Sequence, residues 1–261
     1  MTGRAICSCL VLLAPLYAQF SPLCPASPAA PEMKEGQNAL RQAQFAKAAE
    51  HFQSATQLDP GCANAWLYLG NAYMGQYVPG SDSPENLDLA AKARDAFETA
   101  IAQQPGNEQA MTSIALLYFN QRKLDEAKVW YDKLTVLDPE NKEAFYTLGV
   151  IAWTRGDRAR RAVRARLGMK PEDPGPLRDA EVRQSLRADY LPVVREGIDD
   201  LETALQLDGE YDDAMSYLNL LYRVKADLEN LPEEYRADIA MADEWVRKSL
   251  EIRKSKAGRG Q

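Results

Sequence analysis

Residues 66–73 read Trp-Leu-Tyr-Leu-Gly-Asn-Ala-Tyr. Trp66, Leu69, Gly70 and Tyr73 fall at i, i+3, i+4 and i+7, the spacing that puts side chains on one face of a helix. The same spacing returns in Met111, Ile114, Ala115 and Tyr118, in Phe145, Leu148, Gly149 and Ala152, and in Met215, Leu218, Asn219 and Tyr222. Between these stretches stand second patterns, Ala93 with Phe97, Ala127 with Tyr131, and Leu201 with Ala204. Turn residues close them: Leu58-Asp59-Pro60, Gln104-Pro105-Gly106, Leu137-Asp138-Pro139 and Leu207-Asp208-Gly209. A proline there stops the helix, because it lacks the N–H and its ring clashes with the preceding turn. Pro105 to Pro139 is 34 residues, Pro60 to Pro105 is 45 and Pro139 to Gly209 is 70. One period of 34 therefore runs through the chain, with additions of 11 and 36 residues.

A period near 34 built of helix pairs, with Trp-x2-Leu-Gly-x2-Tyr at 66–73 and Ala93-x3-Phe97 before Pro105, resembles the tetratricopeptide repeat family. The resemblance covers roughly residues 32–154 and 195–250. It implies an all-α fold, a right-handed solenoid of about five antiparallel helix pairs with two to three insertions. The first pair is degenerate, with Glu32 and Glu35 where large apolar residues belong, yet it keeps Gly36, Ala48, Phe52, Ala55 and Pro60. A polar outer repeat is what a cap requires. Small residues at Gly36, Gly70 and Gly149 are expected to meet Ala48, Ala93 and Ala127 where the helices cross.

Composition agrees with helix. Hydrophobic residues make up 46% and charged residues 26% of the 261, and β-branched runs are scarce. A net charge of −7 argues against general affinity for nucleic acid, and no nucleic-acid partner is expected. At the N-terminus, Ala5 to Leu16 is an apolar run behind Arg4, and Leu16-Tyr17-Ala18 could end it as a cleavage site. Residues 1–18 therefore read as a secretory signal peptide, the alternative being a poorly ordered start or a misassigned first codon. On the signal reading the protein is exported, periplasmic or secreted; otherwise it is cytoplasmic. Residues 19–31 are rich in proline and small residues and read as a linker. Ser21-Pro22-Leu23 is a poor box for lipid attachment, which leaves a lipid anchor on Cys24 a minor option. Cys24 and Cys62 could pair, but nothing in their spacing demands it.

Three insertions interrupt the period, at about 75–86, 155–194 and 225–236. The second carries Arg155, Arg158, Arg160, Arg161, Arg164, Arg166 and Lys170 within sixteen residues, offset by Asp157. Arg158, Arg160, Arg161 and Arg164 could contact an anion: a lipid head group, nucleic acid or an acidic partner. The alternative is a solvated helix face whose arginines pair with carboxylates of adjoining repeats. A closing helix is expected from Ala237 to Lys254, with Ala242, Trp245, Val246 and Leu250 on its apolar face, and residues 255–261 read as a disordered basic tail.

No catalytic, cofactor or metal constellation is apparent. The one histidine, His51, sits on a degenerate repeat and reads as an exposed structural residue, and no phosphate-loop, nucleophile-elbow or zinc-helix motif occurs. The resemblance instead implies a scaffold that holds a protein or peptide, or, as the alternative, a structural part of a cell-envelope complex working through its insertions or convex face. If each first helix spends one stripe on packing, the residues between face a groove. These are Asn64, Leu67, Asn71 and Met74, then Thr112, Leu116 and Phe119, then Tyr146, Val150 and Trp153. Phe119 and Trp153 could alternatively lie buried beneath the long insertion. Members of the family that clamp C-terminal carboxylates use lysine and asparagine. Asn64 and Asn71 line up with these, but Met33, Gln109 and Ser113 hold the basic positions, which speaks against such a clamp.

Overall fold

A computed structural model describes residues 27–170 and 172–259. Among the described residues there are ten helices and no strand, and they fall into two units. The first unit holds α1 (Ala30–Arg41), α2 (Phe45–Leu58), α3 (Ala63–Met74) and α4 (Pro84–Gln103). The second holds α5 (Glu108–Asn120), α6 (Leu124–Leu137), α7 (Lys142–Arg166), α8 (Ala180–Leu207), α9 (Asp212–Asp227) and α10 (Pro232–Arg259). The expected five helix pairs are α1/α2 and α3/α4 in the first unit, then α5/α6, α7/α8 and α9/α10 in the second. The expected signal peptide and Cys24 lie outside the described residues, as does most of the linker.

Local chemistry sets the helix ends. Ser83, Asn107, Asn141 and Asp179 each accept a hydrogen bond from the backbone N–H three residues on, satisfying donors that the first turn leaves unpaired. At the other end, Asp138 and Asp208 accept from the N–H groups of Glu140 and Glu210 at 3.0 Å. These short aspartate turns bend the chain the same way at Asp138-Pro139 and at Asp208-Gly209, where there is no proline.

In three of the pairs, those of α1, α3 and α7, the glycine on the first helix does admit the second, but not against alanine. A β-carbon on Gly36 would lie 2.6 Å from the Phe52 ring, and one on Gly70 would lie 2.5 Å from the Phe97 ring. On Gly149 it would collide with Leu201. Ala48, Ala93 and Ala127 are fully buried. The groups that fill the glycine space on α2 and α4 stand four residues later, because a side chain leans toward the N-terminus of its helix. Trp66 is only partly buried; its indole N–H reaches back 2.8 Å to the Pro60 carbonyl, tying α3 to the preceding turn.

The second unit corrects three boundaries. Residues 155–166 do not leave the repeat: they continue α7, which runs for 25 residues, and α8 is extended in the same way to 28. The long insertion is thus an elongated helix pair, with only 167–179 non-helical between. Gly156 allows this, since a β-carbon there would press on Val194 of α8 and Val224 of α9 at 3.2 Å. The third insertion shrinks to residues 228–231, because α9 continues to Asp227 and α10 starts at Pro232. Residues 255–259 are helical, and the expected apolar face of α10 is rearranged. Ala242 is buried, but the other buried residues are Asp238 and Ser249, while Val246 and Leu250 are exposed.

Candidate functional site

In the first unit, α3 carries four of the expected groove residues. Asn64, Asn71 and Met74 are half-buried on its surface, and Leu67 is 1% exposed. Leu67 is a core residue and drops out of the contact set. On α5 of the second unit, Thr112, Leu116 and Phe119 are each half-buried. On α7, Tyr146 and Trp153 are half-buried and Val150 is buried, so Val150 also drops out.

Tyr146 and Trp153 belong to a stripe that packs on α9. The ring of Tyr146 lies 5.0 Å from that of Tyr211 and 5.6 Å from that of Tyr217, and Trp153 lies 5.3 Å from Tyr217. The tilted and edge-on geometries suit ring quadrupoles. Four half-exposed aromatics thus form one continuous strip, and Trp153 meets Tyr217 rather than lying beneath the long insertion. Lys142 stands 5.4 Å over the Tyr211 ring while its ammonium bonds Asp208 at 2.7 Å. Burial, reinforced by Glu143 and Asp213, pushes the Tyr211 hydroxyl well above its usual pKa. Tyr211 and Tyr217 escaped the sequence reading because both lie off the register counted along the first helices.

The same α7 stripe turns ionic after Trp153. At i+4, i+7 and i+11 from it stand Asp157, Arg160 and Arg164, still facing α9. Arg164 is 7% exposed; it donates to both Asp227 oxygens at 3.0 Å and to the Lys170 and Asp173 carbonyls. Arg160 bridges Asp157 at 2.6 Å and Asp227 at 3.0 Å. Arg155 pairs with Asp125. Arg160 and Arg164 therefore stitch α7 to the 167–179 loop and α9, and the expectation that they contact an external anion is replaced by this internal role. Arg158 stays exposed, and Arg161, though paired with Asp157, is 68% exposed. His51 is not a free surface residue either: its Nδ1 lies 2.8 Å from Glu32, across α1 and α2.

A small crevice between α6, α7 and α8 is lined by Lys128, Arg155, Glu196 and Asp200 above Leu148 and Val193. Lys128 bonds Asp132 and Glu196 at 2.9 Å. Burial first, then the charge of Glu196, pushes the Asp200 carboxyl up to about 7, against the pull of Lys128. Cys62, the only cysteine among the described residues, is buried and disulfide-bonded. Among the described residues no three potential metal ligands cluster, and no helix is long and apolar enough to cross a membrane.

The family model of the tetratricopeptide repeat matches residues 33–76 and 87–141. The matched stretches, 33–76 and 87–141, are tetratricopeptide repeats. A solved MamA protein is 15% identical over 88% of this chain and 94% of its own, with a TM-score of 0.59. MamA from Desulfovibrio magneticus RS-1, residue 41 to its end, is 15% identical over 87% of this chain and 96% of its own, at 0.58. YrrB, described as a tetratricopeptide protein with an unusual peptide-binding site, is 14% identical over 87% of this chain and 92% of its own, at 0.55. These likenesses show the tetratricopeptide fold across most of the chain. No curated protein matches the sequence.

Proposed function

We propose that these tetratricopeptide repeats form a scaffold that holds a protein or peptide on their first helices, with no catalytic step. The observation that carries this reading is the strip Tyr211–Tyr146–Tyr217–Trp153. Tyrosine and tryptophan give large contact area at low entropic cost and dominate binding surfaces. Their half-exposed edges in one row suit apolar anchors of an extended or helical segment. Asn64 and Asn71 on α3, and Thr112, Leu116 and Phe119 on α5, supply amide, hydroxyl and apolar contacts of the same kind within each unit. The peptide-binding site named for YrrB supports the class of ligand. A pull-down from native extract tests the reading: Tyr146→Ala with Tyr217→Ala should lose the partner that wild type retains, with helical circular dichroism unchanged. Retention by the double variant moves the interface elsewhere.

We propose further that the protein is exported. The signal-like residues 1–18 and the disulfide at Cys62 support this, since disulfides persist in oxidising compartments. Mass spectrometry of the native protein should find a terminus near Gln19; an intact Met1 in the cytoplasmic fraction overturns it.

A further inference from the structure

Residues 155–195 carry eleven lysines and arginines against six carboxylates, in a chain whose net charge is −7. The interior of the elongated pair absorbs part of that excess. Asp157 and Asp227 face Arg160, Arg161 and Arg164, so three guanidinium groups share two carboxylates. On the adjoining, solvent-facing side of α7, with Arg161 at the boundary, Arg158, Arg161, Ala162, Ala165 and Arg166 are all exposed. Their spacing of i, i+3, i+4, i+7 and i+8 puts them on one face. No carboxylate interrupts that face, and among the described residues Arg158 and Arg166 make no ion pair. The two alanines between the arginines leave it flat, so a partner backbone can come close.

We infer that this face of α7 is a docking surface for a short, carboxylate-rich protein segment, separate from the aromatic strip. Arg158 and Arg166 are eight residues apart, about 12 Å along the helix. Four residues of extended chain span about the same distance. Each guanidinium presents a fork that matches a carboxylate. The face has no large apolar or aromatic side chain to enter a lipid interface, which such helices need for stable membrane binding. A chain of net −7 would be repelled by a long polyanion, which disfavours nucleic acid. A compact acidic segment avoids both objections, because it meets only the local excess of positive charge.

The test uses the full chain and a fluorescent penta-aspartate peptide, with penta-asparagine as the uncharged control and vesicles containing phosphatidylserine as the rival surface. Arg158→Gln with Arg166→Gln should weaken binding of the aspartate peptide about tenfold in anisotropy titrations at low salt, the scale of two exposed ion pairs lost together. Lys34→Gln with Lys47→Gln makes the same charge change on exposed residues of the first unit and should alter binding less than twofold. Equal losses from the two double variants, indifference to the aspartate charge, or tighter retention on the vesicles than on the peptide would each overturn the inference.

Discussion

The ring of Phe97 on α4 occupies the space that a β-carbon on Gly70 of α3 would need, with Cε1 2.5 Å from that point. Phe97 is fully buried, so it has nowhere to turn. Gly70→Ala should therefore cost about 1–3 kcal/mol from overpacking, even though alanine favours helix by up to about 1 kcal/mol over glycine. Adding Phe97→Leu should restore part of the loss, since the two residues share one space. Thermal melting of the four proteins reads the coupling; additive losses would mean that the crossing is not the point of strain.

Much of this was legible in the sequence because the repeats are apolar. The Trp66, Leu69, Gly70 and Tyr73 pattern marks a packing stripe, and the 34-residue period marks the helix pairs. The pattern failed after Trp153 for a physical reason. The stripe of α7 goes on at Asp157, Arg160 and Arg164, but its partner on α9 is a carboxylate, so an internal seam reads as a solvated, charge-rich insertion. The same substitution of ionic for apolar contact hid the last turns of α9 and the tail of α10. The aromatic strip was half legible: Tyr146 and Trp153 follow from the helix period, whereas Tyr211 is reached only once the turn before α9 is folded.

That ionic seam predicts an asymmetry among the α7 neighbours. Asp227 is 4% exposed and, among the described residues, is the only carboxylate bonded to Arg164. Asp227→Ala would leave Arg164 buried without its counter-charge and should destabilise by about 3–5 kcal/mol. Arg158→Gln, at an exposed position, should change stability by less than about 0.5 kcal/mol. Chemical denaturation followed by circular dichroism compares them. Similar midpoints would show that the α7–α9 seam does not depend on the pair.

The end of α10 gives a salt-dependent prediction. Arg253 and Lys256 bond Asp212 at 2.7 and 2.6 Å, and Arg253 also reaches Asp213. Burial pushes the Asp212 carboxyl up, but the bonds from Lys256 and Arg253 outweigh this and hold it below its usual value. The carboxylates also sit at the positive end of α9. Because the cations are about half exposed, Arg253→Gln with Lys256→Gln should cost only about 1 kcal/mol. The loss should shrink in 0.5 M NaCl, where exposed pairs are screened. A depressed carboxylate contributes above its unfolded pKa and loses that contribution as pH falls through its folded pKa. The gap between variant and wild type should therefore close below about pH 4. A gap that persists there and at high salt would assign the effect to lost helix instead.

Asp200 should behave with the opposite sign. Its carboxyl titrates at about 7 in the folded chain against 3.8 for the free side chain, because burial against Leu148 and Val193 and the neighbouring charge of Glu196 disfavour its ionised form. The groups facing it are Lys128 and Asp132 from α6, Arg155 from α7, and Glu196 and Asp199 from α8. Lys128 is already shared between Asp132 and Glu196, which is why its attraction does not restore the charge. Between these two pKa values the folded state binds a proton that the unfolded state has released, so this group's contribution to stability falls as pH rises from about 4 to about 7. Asp200→Asn keeps the shape and removes the charge. It should leave the melting temperature almost unchanged at pH 3, below the free value of 3.8, where Asp200 is protonated in both the folded and the unfolded chain. At pH 8 it should raise it by several degrees, relieving the penalty of an ionised group in the crevice. Melting curves of both proteins at the two pH values decide it. A variant that is destabilised at pH 8 would mean that Lys128 holds Asp200 ionised and that the crevice is a salt-bridge pocket.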